Sequence, residues 1–268
     1  AVGIYRGLLQ KNKEAAKRIW PLKGMAVTYI LKGDKKNSSA ILNRIEKEFT
    51  DKTKIADAYH DIAEAWQKKN NFPQAKQYYR KIISACKGKR PALLSQAAIA
   101  EIEIGRGIRA ESEKEIRKLT TGYSNHPDLR EKLLHMARRL RNLRRFEESG
   151  KLYRLIKAED DSRVKLENAV VNRVMSLVHE SREEQADQAL KKLIKDFSDN
   201  KALPEELGWM AGRYERYARY DKAHEINRYI KERFPDSSYA ARADLESKKD
   251  EVIINVNKNL GKQIILDR

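Results

Sequence analysis

The stretch 56-ADAYHDIAEAWQKKNNFPQAKQYYRKIISA-85 decides the fold. Tyr59, Ile62, Ala63 and Trp66 fall at gaps of 3, 1 and 3, one stripe of an α-helix. Asn70-Asn71 is a turn signal. Phe72, Ala75, Tyr79 and Ile82, at gaps of 3, 4 and 3, make a second stripe. Folding the two helices back as a hairpin sets Ala63 against Ala75, where small side chains permit close crossing.

The same gaps recur along the chain. Leu133, Met136, Ala137, Leu140, Phe146, Ser149, Tyr153 and Ile156 match throughout. Leu207, Met210, Ala211, Tyr214, Tyr220, Ala223, Asn227 and Ile230 match except at Asn227, and the copy from Leu22 to Ile45 matches except at Lys35. The copy from Val170 to Leu193 is degenerate. Leu94, Ala97, Ala98, Glu101, Gly107, Ala110, Lys114 and Arg117 make the weakest copy. The small anchors Ala26, Ala63, Ala98, Ala137, Val174 and Ala211 lie 37, 35, 39, 37 and 37 residues apart. A period of this length marks a helical solenoid.

The expected fold is therefore all-α, a right-handed α-solenoid of six helix-turn-helix repeats over 19–236. Residues 1–18 read as the remnant of a preceding helical unit. Ser237-Ser238 is a helix-start signal for a capping helix over 237–250. Val252-Ile253-Ile254 and Ile264-Ile265-Leu266, rich in β-branched residues, predict an extended or β-like tail over 251–268.

Composition agrees with helices joined by short links. The 268 residues include only 12 Gly and 6 Pro, with 36% charged, which excludes collagen-like and disulfide-scaffold chains. No run of eighteen apolar residues could form a membrane-spanning helix. Cys86 is the only cysteine, so it has no internal disulfide partner. The net charge is +18, and residues 1–166 carry the whole surplus. That points to an anionic partner without choosing among an acidic protein, nucleic acid and an anionic membrane surface.

Trp66, Ala75 and Tyr79, and Ala211, Tyr214, Ala223 and Pro235, give the chain a pattern that resembles the tetratricopeptide (TPR) repeat family. The copies are longer than the family's, and the closing proline occurs once, at Pro235. Three unit ends share a form: Glu48-Phe49-Thr50-Asp51, Asp196-Phe197-Ser198-Asp199 and Arg233-Phe234-Pro235-Asp236. The last continues as Ser237-Ser238-Tyr239-Ala240 and is similar to junctions of bacterial envelope TPR proteins. The resemblance implies a non-enzymatic protein-interaction scaffold in a larger bacterial or periplasmic assembly. It implies a protein or peptide partner, which the positive charge would make an acidic one; an uncapped first helix would make self-association a further mode.

The sequence shows no HExxH, CxxC, EF-hand, GxGxxG or Walker A pattern, so neither a metal nor a cofactor is expected. Partner binding is expected on the first helix of each repeat, one residue past the packing stripe. Those positions are Ser95, Ile99 and Ile102 in the third repeat, Leu134, Arg138 and Arg141 in the fourth, and Val171, Met175 and Val178 in the fifth. The sixth offers Gly208, Gly212 and Glu215. The apolar positions are either an exposed strip or buried by the curvature of the stack. Arg138, Arg139, Arg141, Arg144 and Arg145 form a basic patch suited to carboxylate or phosphate. Nucleic-acid binding is the alternative function, although no pair of polar base-reading positions recurs in each repeat. In the Arg213–Tyr220 run, Tyr214 and Tyr220 are expected in the core. No basic amphipathic helix stands out to bind a membrane surface directly.

Overall fold

A computed structural model describes the backbone of residues 1–12, 14–156 and 161–266, and their side chains apart from residues 15, 16 and 260–266. Among the described residues there are helices and turns and no strand. One recurring turn organises them. Gly33, Asn70, Gly107, Arg144, Ser181 and Ala218 all take φ between 56° and 77°, each 37 residues after the last. After each, the next N–H reaches back to a carbonyl five residues earlier. These bonds run from Asp34 to Tyr29, Asn71 to Trp66, Ile108 to Glu103, Arg145 to Leu140, Arg182 to Leu177 and Arg219 to Tyr214, at 2.9–3.2 Å. This is the Schellman cap, which requires a left-handed residue just past the helix. The residue after it already starts the next helix. Its carbonyl accepts from Ser38, Ala75, Ser112, Ser149, Ala186 or Ala223, all buried.

The result is an all-α chain of stacked helix hairpins, the α-solenoid class. It divides into two compact units, Ala1–Lys132 and Leu133–Arg268. In the first, α1 (Val2–Lys11) packs on α2 (Ala15–Lys32), which pairs with α3 (Lys35–Glu48). α4 (Ala56–Lys68) pairs with α5 (Phe72–Ala85), and α6 (Arg90–Arg106) with α7 (Arg109–Gly122). α4 also touches α2 and α6, so first helices stack on first helices. Tyr59, Ile62, Ala63, Ala75, Tyr79 and Ile82 are nearly inaccessible, as the hairpin pattern predicts.

Hairpins also make up the second unit. α8 (Leu129–Asn142), whose first turn lies before the unit boundary, precedes α9 (Phe146–Leu155). They meet where Ser149 Oγ donates to the Ala137 carbonyl at 2.7 Å. The next first helix comprises α10 (Ser162–Ala169), a π-helical stretch Val170–Met175 and α11 (Ser176–His179), and it folds against α12 (Glu183–Asp196). α13 (Leu203–Arg216) packs on α14 (Tyr220–Arg233), and α14 on α15 (Ala240–Leu266).

Two expectations are corrected. Counting by 37 puts the third copy at Gln96, Ile99, Ala100, Glu103, Arg109, Ser112, Ile116 and Leu119, two residues beyond the register set by Leu94 and Ala98. Gln96, Ile99, Ala100, Glu103, Ser112 and Leu119 are buried, whereas Gly107, Ala110, Lys114 and Arg117 are exposed. Polar residues at core positions disguised this copy. Gln96 donates to Glu115 Oε2 at 2.7 Å, and Glu103 receives Lys76 at 2.5 Å, so both are satisfied where apolar side chains would otherwise stand.

The second correction concerns the C-terminus. α15 continues to Leu266 as one helix, so the cap does not end at 250 and the tail over 251–268 is not extended; Asp267 and Arg268 lie outside the described residues. A helix already nucleated at Ala240 propagates cheaply, and β-branched residues cost it only a few tenths of a kcal/mol each. An isolated two-stranded hairpin has no comparable support.

Asp250 ties α15 down. It is fully buried, and Asn227 Nδ2 donates to its Oδ2 at 3.3 Å. Its Oδ1 is buried with no donor. Burial, reinforced by Glu215 and Glu246, pushes this carboxyl up to about 6, against the pulls of Asn227 and Lys249. The folded chain thus holds the proton more tightly than the open chain. This group's contribution to stability is most favourable in acid and declines as pH rises towards 6. Asp250→Asn should raise stability at pH 7 by ~2 kcal/mol and flatten the melting-temperature profile between pH ~4 and ~6. Denaturation of both proteins across that range measures it.

The turns make a second prediction. Ala218 holds φ 56°, a conformation that costs a side chain with Cβ ~1 kcal/mol. Ala218→Gly should raise stability by ~0.5–1 kcal/mol in urea unfolding, and Gly107→Val should lower it by at least as much.

Candidate binding groove in the second unit

Most of the positions expected to line an apolar groove are in the core. Ser95, Ile99 and Ile102 are at most 3% exposed, because the two-residue register shift turns them inward. Val171 and Met175 are fully buried as well. They lie in the π-helical stretch, where the wider turn carries both Val170–Val171 and Val174–Met175 into the packing against α9 and α12. Leu134, Arg138 and Val178 are partly exposed.

The basic patch is largely neutralised from within. Arg138 forks onto Glu167, Nε to Oε2 at 2.9 Å and Nη2 to Oε1 at 2.6 Å. The Tyr153 hydroxyl donates to the same carboxylate at 3.0 Å. Burial alone would raise the Glu167 carboxyl, but Arg138 and Tyr153 hold it below the usual range. Arg141 Nη1 donates to Glu206 Oε2 at 2.6 Å, and both residues are buried. Arg145 pairs with Glu148, and Arg139 is engaged too. Only Arg144 stays open. It occupies the left-handed turn position and is exposed, with its guanidinium 4.9 Å from the centre of the Tyr217 ring.

A groove opens instead along α13. It encloses about 340 Å³, and its lining includes Gly208, Trp209, Gly212, Arg213, Arg216, Tyr239 and Arg242. The repeat explains the opening. Leu134 and Val171 occupy the position that is Gly208 in the sixth copy, and Arg138 and Met175 the position that is Gly212. A Cβ on Gly212 would meet no heavy atom within 4 Å. Gly208, Gly212 and Glu215, the positions expected from the repeat, all line this groove.

Trp209 is its platform. The Arg141 guanidinium lies 4.1 Å from the Trp209 ring centre and that of Arg213 lies 4.9 Å from it. Trp209 Nε1 and Arg213 Nη2 both donate to Asn142 Oδ1, at 3.3 and 3.1 Å. Burial lowers the proton affinity of Arg213, and Arg216, Arg144 and Arg141 add to that effect. Sequence reasoning missed Trp209 and Arg213. The usable signal was a Gly-x-x-x-Gly interruption with an aromatic inside it and an arginine beside it, at positions elsewhere filled.

In the first unit, His60, Asp61 and Glu64 bring ligand atoms within 4.8 Å of one another. Asp61 is already paired with Lys23 at 2.6 Å, and the His60 ring packs edge-on against Tyr79.

No family model matches the chain, and no curated protein matches it. Among solved structures it is similar to one described as "Crystal Structure of P58(IPK) TPR Domain at 2.5 A". The identity is 13% and the TM-score 0.32, with 96% of this chain and 74% of that chain covered. So slight a likeness leaves the assignment resting on the hairpins themselves. They define a helical-repeat protein whose second unit carries an arginine–tryptophan groove.

Arg141 depends on Glu206, whose carboxyl burial pushes above the usual range against the pull of that guanidinium. Replacing Glu206 with Leu leaves Arg141 buried without its counter-ion and should cost ~3 kcal/mol. The double variant Arg141→Met, Glu206→Leu should recover most of that loss, as thermal or urea unfolding would show.

Proposed function

We propose that this chain is a TPR-like, non-enzymatic scaffold that holds a segment of a partner protein in the groove along α13. The observation that carries this reading is the pair Gly208 and Gly212. They leave empty, on one helix face, the positions that other repeats fill with side chains. A helix side bounded by Trp209 and Tyr239 offers flat, rigid apolar area, the kind that anchors protein interfaces. The Phe234-Pro235-Asp236-Ser237 junction supports a bacterial setting for such a scaffold.

A displayed random-peptide library tests the reading. Peptides should enrich on the wild-type chain and be lost on Gly212→Trp, whose side chain fills the groove from a position with open space around it. Equal enrichment on both proteins, or none on the wild type, contradicts it.

A further inference from the structure

The lining of the groove along α13 contains four carboxylates and four arginines. Every carboxylate already has a cation. Glu205 pairs with Arg163 at 2.8 Å and Glu206 with Arg141 at 2.6 Å, while Lys249 holds Glu215 at 2.9 Å and Glu246 at 2.5 Å. The arginines are not matched in the same way. Among the described residues, no carboxylate forms an ion pair with Arg213, Arg216 or Arg242.

Arg213 is the telling one. It is only 7% exposed, and its Nη1 is buried with no acceptor. Its neighbours are the Trp209 face, the neutral amide oxygen of Asn142 and further arginines. A guanidinium in such a place is costly unless an anion comes to it. Arg216 and Arg242 are exposed members of the same lining, placed to bond that anion directly.

We infer that the groove is an anion-binding site, and that its occupant is an acidic segment of the partner protein. One Asp or Glu carboxylate of that segment would sit against Trp209 within reach of Arg216 and Arg242, and would supply the countercharge Arg213 lacks. This deepens the scaffold reading above and rests on it. A carboxylate fits better than a phosphate chain. The four glutamates of the lining are already paired, so only a few arginine charges remain uncompensated, enough for one or two carboxylates and too few for a densely charged phosphate backbone. Trp209 and Tyr239 give an adjoining apolar residue a surface to cover.

The test uses the full chain and three fluorescein-labelled probes: a peptide with one Glu beside a Leu in an otherwise uncharged sequence, its Gln-for-Glu twin, and a short single-stranded oligonucleotide. Anisotropy is read from about 50 to 300 mM salt. Arg213→Met removes the buried unpaired charge, so its melting temperature should stay level or rise, and lost binding will not reflect unfolding. The expected result is that the Glu peptide binds the wild type about tenfold or more tightly than its Gln twin does, and loses that advantage on Arg213→Met. Equal binding of both peptides, abolished by Gly212→Trp, overturns the anion site and leaves the scaffold reading standing. Oligonucleotide binding that exceeds that of the Glu peptide and disappears on Arg213→Met overturns it in favour of nucleic acid. A Glu peptide that does not bind at the lowest salt overturns it as well.

Discussion

Everything in this fold depends on one hydrogen bond made six times, the back-reaching N–H of the Schellman cap. It closes the first helix of each pair and starts the second within two residues, so the hairpin has almost no freedom in its link. The small buried residues from Ser38 to Ala223 follow at a constant distance from that turn, which lets the second helix approach the first closely. Where the left-handed position holds Arg144, Ser181 or Ala218 instead of glycine, packing around the turn carries the conformational cost.

A constant register also turns sequence differences between copies into geometry. The same two helix positions hold Leu134 and Arg138, then Val171 and Met175, then Gly208 and Gly212. In the second unit the α13 groove therefore opens where glycine falls on the outward stripe. Electrostatics follows the same logic. The long arginine run of the fourth copy meets buried Glu167 and Glu206 from later helices and becomes internal bracing. Arg213, on the same helix as Glu206, meets an amide, an indole and other arginines. The net charge of +18 gave no hint of this distinction, because it counts paired and unpaired guanidiniums alike.

Much of the fold was legible. The apolar stripes around Ala63, Ala137 and Ala211 are period signals strong enough to read by counting, and most of the residues they mark are buried, while Trp66, Phe72 and Tyr220 are half-buried. The third copy was not legible in that way, since Gln96 and Glu103 occupy core positions through hydrogen bonds that only a folded neighbour reveals. The π-helical stretch left the side-chain spacing untouched while burying Val171 and Met175. At the C-terminus, local β-propensity lost to the continuation of a helix already docked through Asp250. Of the candidate site, Gly208 and Gly212 could be placed from the repeat alone. The importance of Arg213 could not, because it follows from which carboxylates are taken elsewhere.

If the cap sets the register throughout, the third hairpin obeys the same turn as the others despite its polar core positions. Backbone amide hydrogen exchange by NMR tests it most directly. The Ile108 amide, bonded to the Glu103 carbonyl at 3.2 Å, should be protected to the same degree as those of Asn71 and Arg145. An Ile108 amide that exchanges at the open-chain rate, while Asn71 and Arg145 stay protected, would contradict it.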